Sequence, residues 1–195
     1  MRIACIGGGP AGLYFSISMK LLDPSCEVVV LERNKPNDTF GWGVVLSDET
    51  LENLHANDPV SAASIRKNFA YWDDIALHFR GERLVSTGHG FCGIGRKKLL
   101  MLLQERAQSL GVDLRYETEV ESAEAYRDEF DVVVANDGLN SKTRMLYKDI
   151  FKPAVDERLC QFVWLGTHQT FKDAFTFIFE ETEHGWVWVH AYQFD

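Results

Sequence analysis

The stretch IACIGGGPAGLYF, residues 3–15, begins as an apolar run and breaks at Gly7, Gly8, Gly9, Pro10, Ala11 and Gly12. Residues 2–6 are short and partly β-branched, which predicts a strand. Proline is well tolerated at the first position of a helix, so Pro10 opens a predicted helix that runs to about Leu22. EVVVL, residues 27–31, is a second β-branched run. The order strand, glycine turn, helix, strand is the beginning of an α/β fold with a parallel sheet.

Within that order, Gly7, Gly9 and Gly12 satisfy GxGxxG. The first glycine permits the tight turn, the second lets the backbone approach a pyrophosphate, and the third lets helix and strand pack closely. Glu32 closes the second strand 20 residues after Gly12. A carboxylate at that place accepts hydrogen bonds from a ribose hydroxyl. The combination predicts a Rossmann-like site for an adenine dinucleotide. After Glu32 the chain enters the irregular loop NKPNDTFGWG instead of another regular βα unit, which favours FAD over NAD as the bound dinucleotide.

The formal charge of −9 is spread among intermixed acidic and basic residues, which argues against a nucleic-acid surface and against general attraction to anionic membranes. Cys5, Cys26, Cys92 and Cys160 show no CxxC spacing, as expected of reduced thiols in the cytoplasm. The first apolar run is broken by glycines and lacks the uninterrupted core of a signal peptide. Six histidines show no metal-ligand spacing, and among them His89, in the run TGHG, is the candidate for a pocket position. GxSxG does not occur, and the single SxxK, Ser64-Ile65-Arg66-Lys67, has no SDN or KTG companion, so a cofactor is expected to carry the chemistry.

Further along, Ser47 is a candidate N-cap for a helix from Asp48 to His55, and a second helical piece spans about Pro59 to Phe69. IALHF and RLVSTG read as β pieces around Arg80-Gly81-Glu82. RKKLLMLLQERAQSL predicts a helix from Arg96 to Leu110 that ends at Gly111. Its first turn carries Arg96, Lys97 and Lys98, where the helix dipole disfavours cations, and an anionic ligand near Arg96 would offset that cost. VDLRYE and the buried-looking DVVVA, residues 131–135, read as strands. After the latter come Asp137-Gly138, with Asn140 or Ser141 as a helix cap and Arg144 one turn in. That segment is either a plain strand-to-helix connection or a ligand loop at the carboxyl end of a parallel strand. From Leu159 the pattern is β-rich and aromatic, with Trp164, Trp186 and Trp188 expected in core or sheet-face packing.

Taken together, GGGPAG, Glu32-Arg33, Arg96 and the Asp137-Gly138…Ser141…Arg144 segment resemble the single-component flavin monooxygenases of the para-hydroxybenzoate hydroxylase type, over nearly the entire chain. GWGVVLSDETLENL, STGHGFCGIGRKKLL and VWLGTHQTF are most similar to the members that hydroxylate aryl-CoA thioesters such as salicylyl-CoA or 2-aminobenzoyl-CoA. The resemblance implies that Gly7, Gly9, Gly12, Glu32, Arg33 and Arg96, with Pro10 and Ala11 in the same turn, touch the ADP half and linker of FAD. It places Asp137 and Gly138 near the pyrophosphate, in both FAD and NAD(P)H handling, and Gly43 and Val44 against the flavin ring.

The activity implied is hydroxylation of an aromatic ring with O2 and NADH or NADPH, through a flavin C4a-hydroperoxide. A flavin oxidase or reductase and a non-catalytic nucleotide-binding fragment are the alternatives. Residues 1–70 and 95–152 are expected to form the FAD-binding domain, and residues 71–94 and 153–195 the β-rich segments of a substrate domain. The family's later Gly-Asp motif would fall beyond Asp195, so the chain is expected to be an inactive fragment that exposes strand edges and self-associates.

Overall fold

The computed structural model describes residues 1–36, 38–171 and 174–195. The chain divides into two compact units, Met1–Thr39 with Leu99–Val163, and Phe40–Lys98 with Trp164–Asp195.

The first unit is built on a parallel sheet. β1 (Arg2–Ile6), α1 (Pro10–Leu22) and β2 (Glu27–Leu31) follow one another as the sequence predicts. Two further strands, β8 (Asp113–Arg115) and β9 (Val132–Ala135), complete the order β8-β2-β1-β9, with every pairing parallel. Alternation along β1 sorts its side chains. Ala4 joins Val29, Leu31 and Phe130 on one face, while Cys5 meets Ser16 of α1 on the other. Leu13 and Ile17 are the buried apolar positions of α1, and with Ile3, Val28 and Val30 they supply most of the unit's fully buried large side chains. β9 is less enclosed than its VVVA sequence suggests. It is an edge strand, and Val132 is 40% exposed.

α4 (Arg96–Ser109) buries Leu99, Leu100, Leu103 and Ala107, a helical stripe. Gly111, at φ +81°, ends it as predicted, with the Val112 N–H returning to the Ala107 carbonyl at 3.0 Å. Ser141 is the cap of α5 (Lys142–Leu146), accepting from the Arg144 N–H at 2.9 Å, and α6 (Lys148–Phe151) follows directly.

The second unit is largely antiparallel. One sheet has the order β3-β7-β4, from Gly43–Ser47, Phe91–Gly95 and Ala70–Trp72. The other has the order β11-β10-β5-β6, from Gly185–Ala191, Phe175–Thr182, Ile75–Phe79 and Glu82–Ser86, with β10 and β5 parallel. α2 (Asp48–Asn57) is capped by Ser47 and α3 (Pro59–Arg66) by Asp58. Phe175 is the aromatic hub. Its ring centroid lies 4.5 Å from Phe177, 5.6 Å from Tyr192, 5.8 Å from Phe91 and 6.2 Å from Trp72. Cys92 is fully buried beside this cluster's strands, and burial pushes its thiol up to about 11, so it is neutral at neutral pH.

Three local expectations differ from the structure. β3 and β7 are strands that glycines conceal in the sequence, GVVLS and FCGIG. Residues 161–171, expected as β, form no strand. Trp164 is 57% exposed, not packed in a core, and Trp186 and Trp188 lie on a sheet face but at 51% and 59% exposure. The bounds of the compact units also differ from the expected segments, because residues 40–70 join the antiparallel unit and residues 153–163 the parallel one.

Candidate functional site

In a parallel sheet, ligands lie at the carboxyl ends of the strands, at the point where the strand order reverses. Here β2 and β9 flank β1 on opposite sides, which puts that point at the ends of β1 and β9. Gly7, Gly8 and Gly9 leave β1 there, and Asn136 and Asp137 leave β9.

The three motif glycines have different physical reasons. Gly7 holds φ +104°, and a Cβ on it would run into the Asn136 carbonyl. A Cβ on Gly12 would strike the Gly7 carbonyl, so turn and helix are in direct backbone contact. Gly9 is the exception. Its backbone is ordinary extended chain at φ −72° and ψ 178°, and nothing lies within 4 Å of where its Cβ would be. Gly9 is also the N-cap of α1, whose first turn has no side-chain cap and no acidic residue. The start of the helix therefore keeps unsatisfied N–H groups and positive dipole character beside open space.

Glu32 follows β2 and is partly buried. Its Oε2 accepts from the Gly8 N–H at 2.7 Å, and its Oε1 accepts from both the backbone N–H and the Nδ2 of Asn34 at 2.8 Å. Three donors occupy a carboxylate that has room for about four. Glu32 thus braces the glycine turn and retains capacity for a hydroxyl donor. Burial, and then the Glu32 charge, push the nearby Tyr116 phenol upward. Arg33 beside it is exposed.

Asp137 is committed to its own loop. Burial pushes its carboxyl up, but hydrogen bonds from the Ser141 hydroxyl and the Thr143 N–H, the latter at 3.1 Å, outweigh this and hold it below the usual carboxylate range. Gly138, at φ +80°, turns the chain with nothing within 4 Å of its Cβ position. Pro10 is half-buried and Ala11 exposed in the first turn of α1.

Gly43, Val44 and Arg96 belong to the second unit. Gly43 and Val44 open β3, where the Gly43 carbonyl accepts from the Tyr192 hydroxyl at 3.0 Å. Arg96 begins α4, and its N–H donates to the Trp42 carbonyl at 2.8 Å. Two residues that the sequence reading passed over belong to the turn. Asn34 fixes Glu32, and Asn136 abuts both Gly7 and Gly12 and has a buried Nδ2 with no hydrogen-bond partner. The signal for Asn136 was available, since it directly precedes Asp137-Gly138 at the end of a parallel strand.

The residues fit a dinucleotide. Open space beside Gly9 lies at an uncapped helix start, and a carboxylate stands at the end of the neighbouring strand. Among the described residues no helix is long and apolar enough to cross a membrane.

Comparison with known proteins agrees with this geometry. Residues 1–145 match the family model described as FAD binding domain. The chain is 46% identical over 192 residues to a salicyloyl-CoA 5-hydroxylase of a Streptomyces species, covering 98% of this chain and 37% of that protein. It is 32% identical to the protodeoxyviolaceinate monooxygenase of Chromobacterium violaceum, covering 100% of this chain and 52% of that protein. The chain thus spans between about a third and a half of the length of these two relatives. Among solved structures it is similar to 2-methyl-3-hydroxypyridine-5-carboxylic acid oxygenase, with a TM-score of 0.65 at 24% identity, covering 74% of this chain and 41% of that one; this similarity is one of fold. The glycine turn, Glu32 and a family match over residues 1–145 lead to one conclusion: the chain belongs to the FAD-binding-domain family, with FAD as its cofactor.

Proposed function

We propose that these residues belong to an FAD-dependent hydroxylase that inserts one oxygen atom of O2 into the ring of an aryl-CoA thioester, using NADH or NADPH as reductant in the cytoplasm. The observation that carries the reading is 46% identity to a salicyloyl-CoA 5-hydroxylase across 98% of the chain. Salicyloyl-CoA and 2-aminobenzoyl-CoA are the first substrates to test.

FAD, when bound, supplies the redox and oxygen chemistry. The chain's own residues bind and orient. Gly9 and the N–H groups of the first turn of α1 face the diphosphate, with Gly7, Pro10, Ala11 and Gly12 setting the path of the turn. The remaining acceptor capacity of Glu32 takes a ribose hydroxyl. Arg33 and Arg96 supply positive charge toward the anionic parts of the cofactor. Asp137, held ionised by Ser141 and Thr143, fixes the Gly138 turn, leaving its backbone open to a phosphate. Within the antiparallel unit, Gly43 and Val44 at the start of β3 are the residues assigned to the flavin ring.

The test is an assay of the native protein that carries these residues, supplied with FAD, NADH or NADPH, and each thioester in turn. Oxygen uptake matched by hydroxylated thioester is the expected result. Turnover of NAD(P)H with no oxygen in the product would replace this reading with that of an oxidase or reductase. FAD binding with no turnover on any aryl thioester would replace it with that of a nucleotide-binding protein.

A further inference from the structure

The residues that follow β11 cross the other sheet of the antiparallel unit, and glycines make the room. In the β3–β7 pair Gly43 faces Gly95 and Val45 faces Gly93. Partners across a pair share a face, as do residues two apart along a strand, so Gly43, Gly93 and Gly95 lie on one face and leave a trough in it. Tyr192, Gln193 and Phe194 occupy that trough. A Cβ on Gly43 would lie 2.8 Å from Phe194 and 2.9 Å from the Tyr192 ring, one on Gly93 would run into the Gln193 carbonyl, and one on Gly95 would lie 3.7 Å from Phe194.

Tyr192 does more than fill space, because its hydroxyl donates to the Gly43 carbonyl at 3.0 Å. β3 is an edge strand, paired with β7 alone. The Trp42 carbonyl accepts from the Arg96 N–H at 2.8 Å, which continues the ladder one residue beyond β3. Ladder bonds alternate along an antiparallel strand, so the next carbonyl, that of Gly43, points away from β7 and needs another donor. Tyr192 supplies it. Its ring is held in turn, stacked on the buried Trp72 at 6.2 Å and edge-on to Phe175 at 5.6 Å. Glycine has the greatest backbone freedom of any residue, and Tyr192 and Phe194 together take that freedom from Gly43. Burial pushes the Tyr192 phenol upward, so the hydroxyl keeps its proton at neutral pH.

We propose that Tyr192 is a positioning residue for the flavin ring: its hydroxyl and ring, with Phe194 beside it, lock the backbone of Gly43, the residue that meets the flavin. That β3 meets a flavin rests on the reading under Proposed function; the lock itself rests on the hydrogen bond and the two side chains seated on Gly43. Tyr192 acts through Gly43 and transfers no atom.

The experiment titrates the 195-residue chain and its Tyr192→Phe variant with FAD and with ADP-ribose by heat of binding, records the visible spectrum of the bound FAD, and melts each cofactor-free protein as the control for folding. The two ligands share the adenosine diphosphate and differ in the flavin. Phenylalanine keeps the stacked ring and removes the donor. The expected result is that Tyr192→Phe binds FAD about threefold to tenfold more weakly, in the range of one lost hydrogen bond, shifts the visible band of the bound flavin, and binds ADP-ribose as wild type does. Equal weakening of both ligands would make Tyr192 a residue of the fold alone and overturn the positioning role. Unchanged FAD affinity and spectrum in the variant, with wild type binding FAD more tightly than ADP-ribose, would also overturn that role and leave the flavin reading standing. Wild type that binds FAD no more tightly than ADP-ribose, or not at all, would overturn the assignment of β3 to the flavin and the positioning role with it. Should Tyr192→Phe fail to melt cooperatively, Phe194→Leu, which loosens the other side chain seated on Gly43, takes its place with the same expected selectivity.

Discussion

Glu32 has two duties that one substitution separates. Its side chain accepts from Gly8, which is buried, and from Asn34, so the carboxylate organises the turn before any cofactor arrives. Its remaining acceptor capacity is what a ribose hydroxyl would use. Glu32→Ala is expected to weaken FAD by about 1–3 kcal/mol, the range for losing a hydrogen bond to a charged group. It should also lower the melting temperature of the cofactor-free chain, because the Gly8 N–H is left buried without an acceptor. Glu32→Gln keeps an oxygen for Gly8 but turns an NH2 donor toward the Asn34 donors, so it should recover only part of the melting temperature and less of the affinity. Calorimetric titration with FAD together with thermal melts reads both effects, and unchanged FAD affinity in Glu32→Ala would remove this residue from the site. The position of Glu32 was legible from its 20-residue spacing to Gly12. Its bracing role was not, because the donors come from residues 8 and 34, brought together only when β1 and β2 pair.

At the level of elements, α1 is held against the turn by backbone contact, not by side chains alone. Gly12 sits on the Gly7 carbonyl, and the Ser16 hydroxyl donates to Cys5 Sγ of β1 at 3.4 Å. Gly12→Ala inserts a methyl where none fits. A loss of about 1–3 kcal/mol is expected, as for other overpacked positions, visible as a drop of several degrees in thermal unfolding. An unchanged midpoint would mean that α1 can shift away from β1 freely. Elements with a clean period were readable from sequence, as α1, β2 and α4 show. β3 and β7 were not, because glycines lower strand propensity there, although Gly43 gives room to Tyr192 and Phe194 and Gly93 to the Gln193 carbonyl and Trp72. VWLGTHQTF misled in the opposite direction. Its aromatic and β-branched residues suit a strand, but Trp164 and Gly166 are engaged with the loop around Gly41 and Trp42 instead.

At the level of the whole molecule, two compact units are drawn from one chain of formal charge −9. β11 is the last strand of its sheet, and Trp186, Val187, Trp188 and Val189 along it are all at least 40% exposed. An exposed apolar edge strand is a template for pairing with another chain. Self-association that grows with concentration is expected in sedimentation velocity, and Val187→Lys, which puts a charge on that strand, should reduce it. Sedimentation as a monomer at every concentration would show that this edge does not pair. The family was legible before the structure because the glycine turn, Glu32 and the Asp137-Gly138 segment lie in contiguous stretches. The division into units was less so, because both are assembled from discontinuous segments and the bound falls inside the first turn of α4.

The space beside Gly9 is where the diphosphate of FAD is expected. Gly9 permits a clean test because its backbone is compatible with any side chain and a Cβ there meets nothing in the cofactor-free protein. Gly9→Val should therefore cost the cofactor-free chain little stability, at most about 1–2 kcal/mol for a poorer helix cap, while occupying that space. Calorimetric titration of FAD into the wild-type chain and into Gly9→Val is the decisive measurement. Saturable binding to wild type and at least tenfold weaker binding to a folded Gly9→Val chain is the predicted result; equal affinity in the two, or no saturable binding to wild type, would contradict it.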